Sequence, residues 1–181
     1  MYGNRGGETT GCIQGGIVEW AYDIFSKSEE ELFVLLLFLQ KKRMHFIIID
    51  GPNLNLTGKR EPGFYGKRDM KSFLAEITSR YSDHTIDYFQ SNIEGELINK
   101  LHASGFSYDG IILNAGGYTH TSVAIGDAVK AIVVPVVEVH LSNVFSREPF
   151  RWESFISPGA RGVISGFGLA GYRLAIQSFL G

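Results

Sequence analysis

The chain has 181 residues, 44% of them hydrophobic and 13% aromatic, enough for one domain with a buried core. Its 17 basic residues against 19 acidic ones leave a net charge of −2, so there is no global electrostatic attraction to nucleic acid. A single cysteine, Cys12, excludes a disulfide framework and a cysteine-based zinc site, and it points to a reducing, cytoplasmic setting.

Residues 1–43 differ in character from the rest of the chain. They open Gly- and Thr-rich, then carry Glu29-Glu30-Glu31, the apolar run 32–39 and Lys41-Lys42-Arg43. The run falls well short of the about 20 residues that span a bilayer. The segment also lacks the basic start and small-residue cleavage site of a signal peptide, so no membrane partner is expected. It reads as an N-terminal extension to the domain proper, either not native, from a start codon assigned too early, or weakly ordered; a short helix over roughly 28–42 that docks on the core or a partner is the alternative.

From Met44 onward strand and helix patterns alternate. Strands are expected at 45–50, 84–90, 109–114, 132–139 and 162–165, and helices at 69–81, 93–104, 120–131 and 168–180. Phe73, Leu74, Ile77 and Tyr81 recur at helical spacing in the first helix, and Leu97, Ile98 and Leu101 do so in the second. Ile- and Val-rich strands separated by helices imply a parallel sheet covered on both faces. Five of them make a doubly wound, flavodoxin-like α/β domain over 44–181. That length is far below the about 250 residues of a (β/α)8 barrel.

In such a fold ligands bind beyond the carboxyl ends of the strands. The loop after the first strand carries Asn53, Arg60, Glu61 and Tyr65. The second ends in Gln90-Ser-Asn92-Ile-Glu94, the third in Asn114-Ala-Gly-Gly-Tyr-Thr-His120, and the fourth in Glu138-Val-His140-Leu-Ser-Asn143, followed by Arg147 and Arg151. Polar groups from separate loops therefore converge on one edge. Asn55 reads as a turn residue, whereas Asn53 is open between turn and site. Arg60 and Glu61 are either a solvated ion pair or part of the site. Tyr65, a large ring between Gly63 and Gly66, is unexpected unless it covers something. Glu138 and His140 alternate on one strand and share a face. A carboxylate there can set the tautomer of the imidazole for acid catalysis, or the histidine is simply a satisfied structural one. Gly166-Phe-Gly168-Leu-Ala-Gly171 matches a dinucleotide fingerprint, but no strand with an acidic residue follows it. Those glycines are expected to permit tight strand–helix packing instead. The five histidines show no metal-ligand spacing, so no metal is expected.

Together these motifs resemble the type II 3-dehydroquinate dehydratase family from Met44 to the C-terminus. The resemblance rests on Gly51-Pro-Asn-Leu-Asn-Leu, Gly58-Lys-Arg-Glu-Pro, Tyr65-Gly66, Phe89-Gln-Ser-Asn92 with Glu94-Gly-Glu96, Asn114-x-Gly-x-Tyr-Thr-His-Thr-Ser122, Glu138-Val-His-Leu-Ser-Asn143, Arg147-Glu148 and Phe150-Arg151. It implies removal of water from 3-dehydroquinate by anti elimination through an enolate, without a metal or organic cofactor. It assigns Tyr65 as the base, His140 as the acid and Glu138 as the carboxylate that orients it. Asn53 stabilises the enolate, and Arg60 with Arg147 keeps Tyr65 ionised. Asn114, His120, Asp127, Leu141, Ser142 and Arg151 fall at substrate-binding positions. The resemblance also implies a homododecamer, a tetramer of trimers.

The electrostatics suit these roles. A free tyrosine has a pKa of about 10, so use as a base near neutrality requires about 3 units, or about 4 kcal/mol. One cation at about 4 Å supplies about 4 kcal/mol at an effective dielectric of 20. Several positions depart from the common pattern: Asp50 in place of Asn, Ala115 in place of Pro, Phe155 in place of Tyr, and Phe145, Trp152 and Glu153 where His or basic residues are usual. The last three bear on the rim of the pocket.

Overall fold

In a computed structural model, the described residues are 28–31, 42–58 and 69–181. The chain divides into two compact units, Met1–Lys42 and Arg43–Gly181. In the first, Ser28 and Glu31 form a reciprocal capping box, with Ser28 N and Oγ donating to the Glu31 carboxylate and Glu31 N donating to Ser28 Oγ. The rest of the helix expected over 28–42 lies largely outside the described residues.

The second unit runs β1 (His45–Asp50), α1 (Met70–Arg80), β2 (Thr85–Gln90), α2 (Glu94–Ser104), β3 (Gly110–Asn114), α3 (Val123–Ala131), β4 (Val136–His140), β5 (Gly162–Ser165) and α4 (Ala170–Leu180). The five strands are all parallel, in the order β2-β1-β3-β4-β5. This is the expected doubly wound, flavodoxin-like sheet.

Strand periodicity builds both faces. Phe46, Ile48, Ile112, Val137 and Val139 pack with Phe73 and Ile77 of α1 and Tyr172 and Ile176 of α4. Ile47, Ile49, Ile111, Leu113 and Val136 pack with Leu97 and Leu101 of α2 and Ile125 and Val129 of α3. Because β1 and β3 are covered on both sides, they read as unbroken apolar runs rather than alternating ones.

Two element boundaries differ from expectation by more than two residues. The fourth strand begins at Val136, not at 132. Pro135 has no N–H for a ladder, and the N–H groups of Val133 and Val134 turn away to the Gly105 carbonyl at 3.3 and 3.1 Å. The third helix begins at Val123 because Ser122 caps it, accepting from Ile125 N at 2.9 Å. The residues before it form a separate 3-10 turn, Gly116–His120. Of the glycines after β5, Gly171 meets the expectation of tight packing: a Cβ there would lie 3.2 Å from Val139 Cγ1.

Candidate active site

The strand order reverses between β1 and β3, and their loops leave the sheet side by side. Gly51 N donates to Asn114 O at 2.7 Å, and a Cβ on Gly51 would sit 2.4 Å from the Ala115 carbonyl oxygen. Only glycine permits this approach. It holds Pro52 and Asn53 against Asn114–Gly117, and with the loop after β4 these segments wall one pocket.

Asn53, Asn114, His120, His140, Leu141, Ser142, Arg147 and Arg151 all line that pocket. Asn53 serves as the turn residue as well: it adopts φ 68°, a conformation asparagine tolerates, and its N–H donates to Asn92 Oδ1 at 2.9 Å. Arg60 and Tyr65 lie outside the described residues. Two expected site residues among those described do not line the pocket: Glu138, buried against His140, and Asp127. Asp127 is exposed on α3, 3.9 Å from Lys130 and outside the pocket. Phe145, Trp152 and Glu153 do not line it either, although the Glu153 carbonyl reaches in from behind to His120.

His140 ends β4 with Glu138 two residues earlier on the same face, and its Nε2 lies 2.7 Å from Glu138 Oε1. Glu138 is fully buried. Ser157 Oγ donates to Oε2 at 2.6 Å, and Ser154 Oγ lies 3.0 and 3.2 Å from the two oxygens. Ser154 Oγ already accepts from Ile156 N and Ser157 N, so its one proton goes to the carboxylate. Burial pushes the Glu138 carboxyl up, but the bonds from His140, Ser157 and Ser154 outweigh it and leave the pKa below its ordinary value. An ionised acceptor requires Nε2 to carry its proton, so Nδ1 is the nitrogen His140 can turn to chemistry.

His120 stacks on His140, with ring centroids 5.9 Å apart and planes at 18°. Its Nδ1 lies 2.6 Å from the Glu153 carbonyl, which only accepts; the proton is therefore on Nδ1. Burial lowers its pKa, with the His140 and Arg151 charges adding to that and the Glu153 bond opposing it. A neutral His120 thus presents Nε2 as an acceptor.

Both arginines are held through one acid. Arg151 Nε donates to Glu148 Oε2 at 2.8 Å, and Arg147 Nε lies 3.6 Å from the same oxygen. Arg147 Nη1 also donates to Ser142 Oγ at 3.3 Å. The site therefore offers two cations, two amides, one neutral imidazole as acceptor and one imidazole backed by a carboxylate. That inventory suits an anionic, polyhydroxylated ligand and an acid-assisted departure of oxygen.

Ser154 and Ser157 are the groups that sequence reasoning missed. They lie in an irregular segment 16 and 19 positions after Glu138, and nothing in their spacing marks them. Glu148 carries a visible signal, since it sits between the two arginines in sequence.

Comparison with known proteins covers the same part of the chain. The profile of a family described as Dehydroquinase class II matches residues 44–180. A 3-dehydroquinate dehydratase of Exiguobacterium sp. strain AT1b is 51% identical over 138 residues, covering 76% of this chain and 94% of that one. One from Campylobacter jejuni is 47% identical over 139 residues, covering 76% and 87%. Among solved structures, type II dehydroquinase from Butyrivibrio crossotus has a TM-score of 0.74 at 38% identity, covering 77% of this chain and 99% of that one.

Proposed function

The chain belongs to the class II dehydroquinase family, and from that premise we propose that it is a 3-dehydroquinate dehydratase, a hydro-lyase converting 3-dehydroquinate to 3-dehydroshikimate on the shikimate route to chorismate and the aromatic amino acids. The observation that carries the reading is the buried Glu138–His140 pair opening on a pocket of amides and guanidiniums.

In this reading Tyr65, kept ionised by Arg60 and Arg147, removes the proton alpha to the ketone. Asn53 steadies the resulting enolate, through a held water. The carbon–oxygen bond then breaks as His140 delivers a proton from Nδ1 to the departing hydroxyl, which leaves as water. Glu138 stabilises the charged ring beforehand and fixes its tautomer. Arg151 and the Leu141–Ser142 turn receive the substrate carboxylate, while Asn114 and His120 Nε2 hold its hydroxyls. The base and the acid act from opposite faces, as anti elimination requires. Every proton is accounted for by side chains, so the step uses no cofactor.

Asp127, exposed in its own chain, acts in this reading on substrate held by a neighbouring copy, within a homododecamer built as a tetramer of trimers. Sedimentation velocity would show a species near twelve chains, and a stable monomer with full activity would remove that role. Among the described residues no helix is long and apolar enough to cross a membrane; a cytoplasmic location is part of the proposal. Residues 1–43 are proposed as an extension that catalysis does not need, so a chain beginning at Met44 should keep its activity.

The direct test is optical. The product is a conjugated enone, so protein mixed with 3-dehydroquinate should give rising ultraviolet absorbance. A folded, full-length protein that gives no rise would overturn the function.

A further inference from the structure

Behind the pocket wall sits a buried acid that the reaction does not use. Asp50 ends β1 with no exposed surface. Tyr172, from α4, donates its hydroxyl proton to Asp50 Oδ1 at 2.7 Å, and Tyr88, from β2, donates to Oδ2 at 3.1 Å. These two phenols are the titratable groups that face it, and among the described residues no ion pair joins it. Tyr172 also faces forward: Asn114 Nδ2 donates to the phenol oxygen at 3.0 Å. Asn114 is the last residue of β3 and lines the pocket, and its Oδ1 accepts from Gly116 N at 3.3 Å.

We propose that Asp50 and Tyr172 are positioning residues that set the direction of the Asn114 side-chain amide and thereby what it offers to bound substrate. Donor counting decides that direction, because a phenol has a single proton. With a carboxylate behind it, Tyr172 sends that proton backward and shows Asn114 only lone pairs. The amide must answer with Nδ2 and turn Oδ1 to the Gly116 N–H. Its second Nδ2 proton is then the donor left for a ligand. Protonating Asp50 removes this constraint. The acid then has its own proton to give, the phenol can turn forward, and the amide loses the reason to face one way. Burial pushes the Asp50 pKa up to about 7, against the bonds from Tyr172 and Tyr88 that lower it, so the relay loosens as the medium turns mildly acidic. Neither phenol competes for this titration, because burial and the Asp50 charge raise both.

The proposal rests on the dehydratase reading, and steady-state kinetics from pH 5.5 to 8.5 separates the two. Turnover of 3-dehydroquinate by the wild-type protein tests the reaction. The relay is tested by how variants divide between KM and kcat. Tyr172→Phe cuts the chain and should raise KM about tenfold, the worth of one misdirected hydrogen bond, with kcat within about threefold. In the wild type KM should rise as pH falls through about 7, and Asp50→Asn, which cannot gain a proton, should flatten that rise. A folded Tyr172→Phe with wild-type KM at every pH would overturn the proposal. If that variant does not fold, an Asp50→Asn profile superimposable on the wild type would overturn it equally.

Discussion

Replacing Asp50 with Asn should make the protein more stable, and increasingly so as pH rises. The carboxyl is fully buried; desolvation raises its pKa from 3.8 to about 7, while the hydrogen bonds from Tyr172 and Tyr88 offset only part of that. The difference is about 3 units, or about 4 kcal/mol at about 1.4 kcal/mol per unit. Since the folded-state pKa lies above the unfolded one, this stability is fully present below about pH 4 and is lost as pH climbs through about 7. Roughly 2.5 kcal/mol of the loss falls between pH 5 and pH 8. Asn has the same volume, still accepts the Tyr172 proton, and can donate to the Tyr88 oxygen. Any fixed cost of the amide cancels when one pH is compared with another. Urea unfolding of both proteins at matched concentration, at pH 5 and pH 8, measures the change. A variant whose advantage does not grow with pH would refute the claim that burial of this carboxylate is only partly compensated. Such a gain would sit beside the flattened pH dependence of KM proposed above, since Asn keeps an acceptor for the Tyr172 proton but cannot titrate.

Other substitutions probe the reaction itself. His140→Ala should lower kcat by about 10²–10⁴, the range for a lost general acid, and Glu138→Gln should lower it less while the fold persists by circular dichroism. Tyr65→Phe should cost turnover by orders of magnitude with little change in thermal stability; near-normal activity would remove Tyr65 as the base. Gly51→Ala forces a methyl to within 2.4 Å of the Ala115 carbonyl oxygen, so the loops carrying Asn53 and Asn114 must part. It should destabilise by about 1–3 kcal/mol and raise KM, both read in a single purification.

Much of this protein is local and therefore legible in the chain. The unbroken apolar runs of β1 and β3, the 3.6-residue spacing of Phe73, Ile77, Leu97 and Leu101, and the Gly-, Asn- and Pro-rich loops after the strands report a doubly wound sheet with a furnished carboxyl edge. The Glu138–His140 pair was visible because alternation along a strand places both on one face. Boundaries were less legible where apolar residues served another purpose: Val133 and Val134 look like strand but cap a turn on Gly105.

What the amino-acid order alone determined is which residues share a face, an edge and a loop, since those follow from backbone periods within about ten residues. Only the tertiary structure decided which groups meet across elements. It brought Ser154 and Ser157 under Glu138, linked Asp50 through Tyr172 to Asn114 over 122 and 58 positions, and left Asp127 outside its own pocket. Hydrogen bonds between distant segments depend on how helices and strands pack in three dimensions, and packing leaves no periodic trace in any one of them.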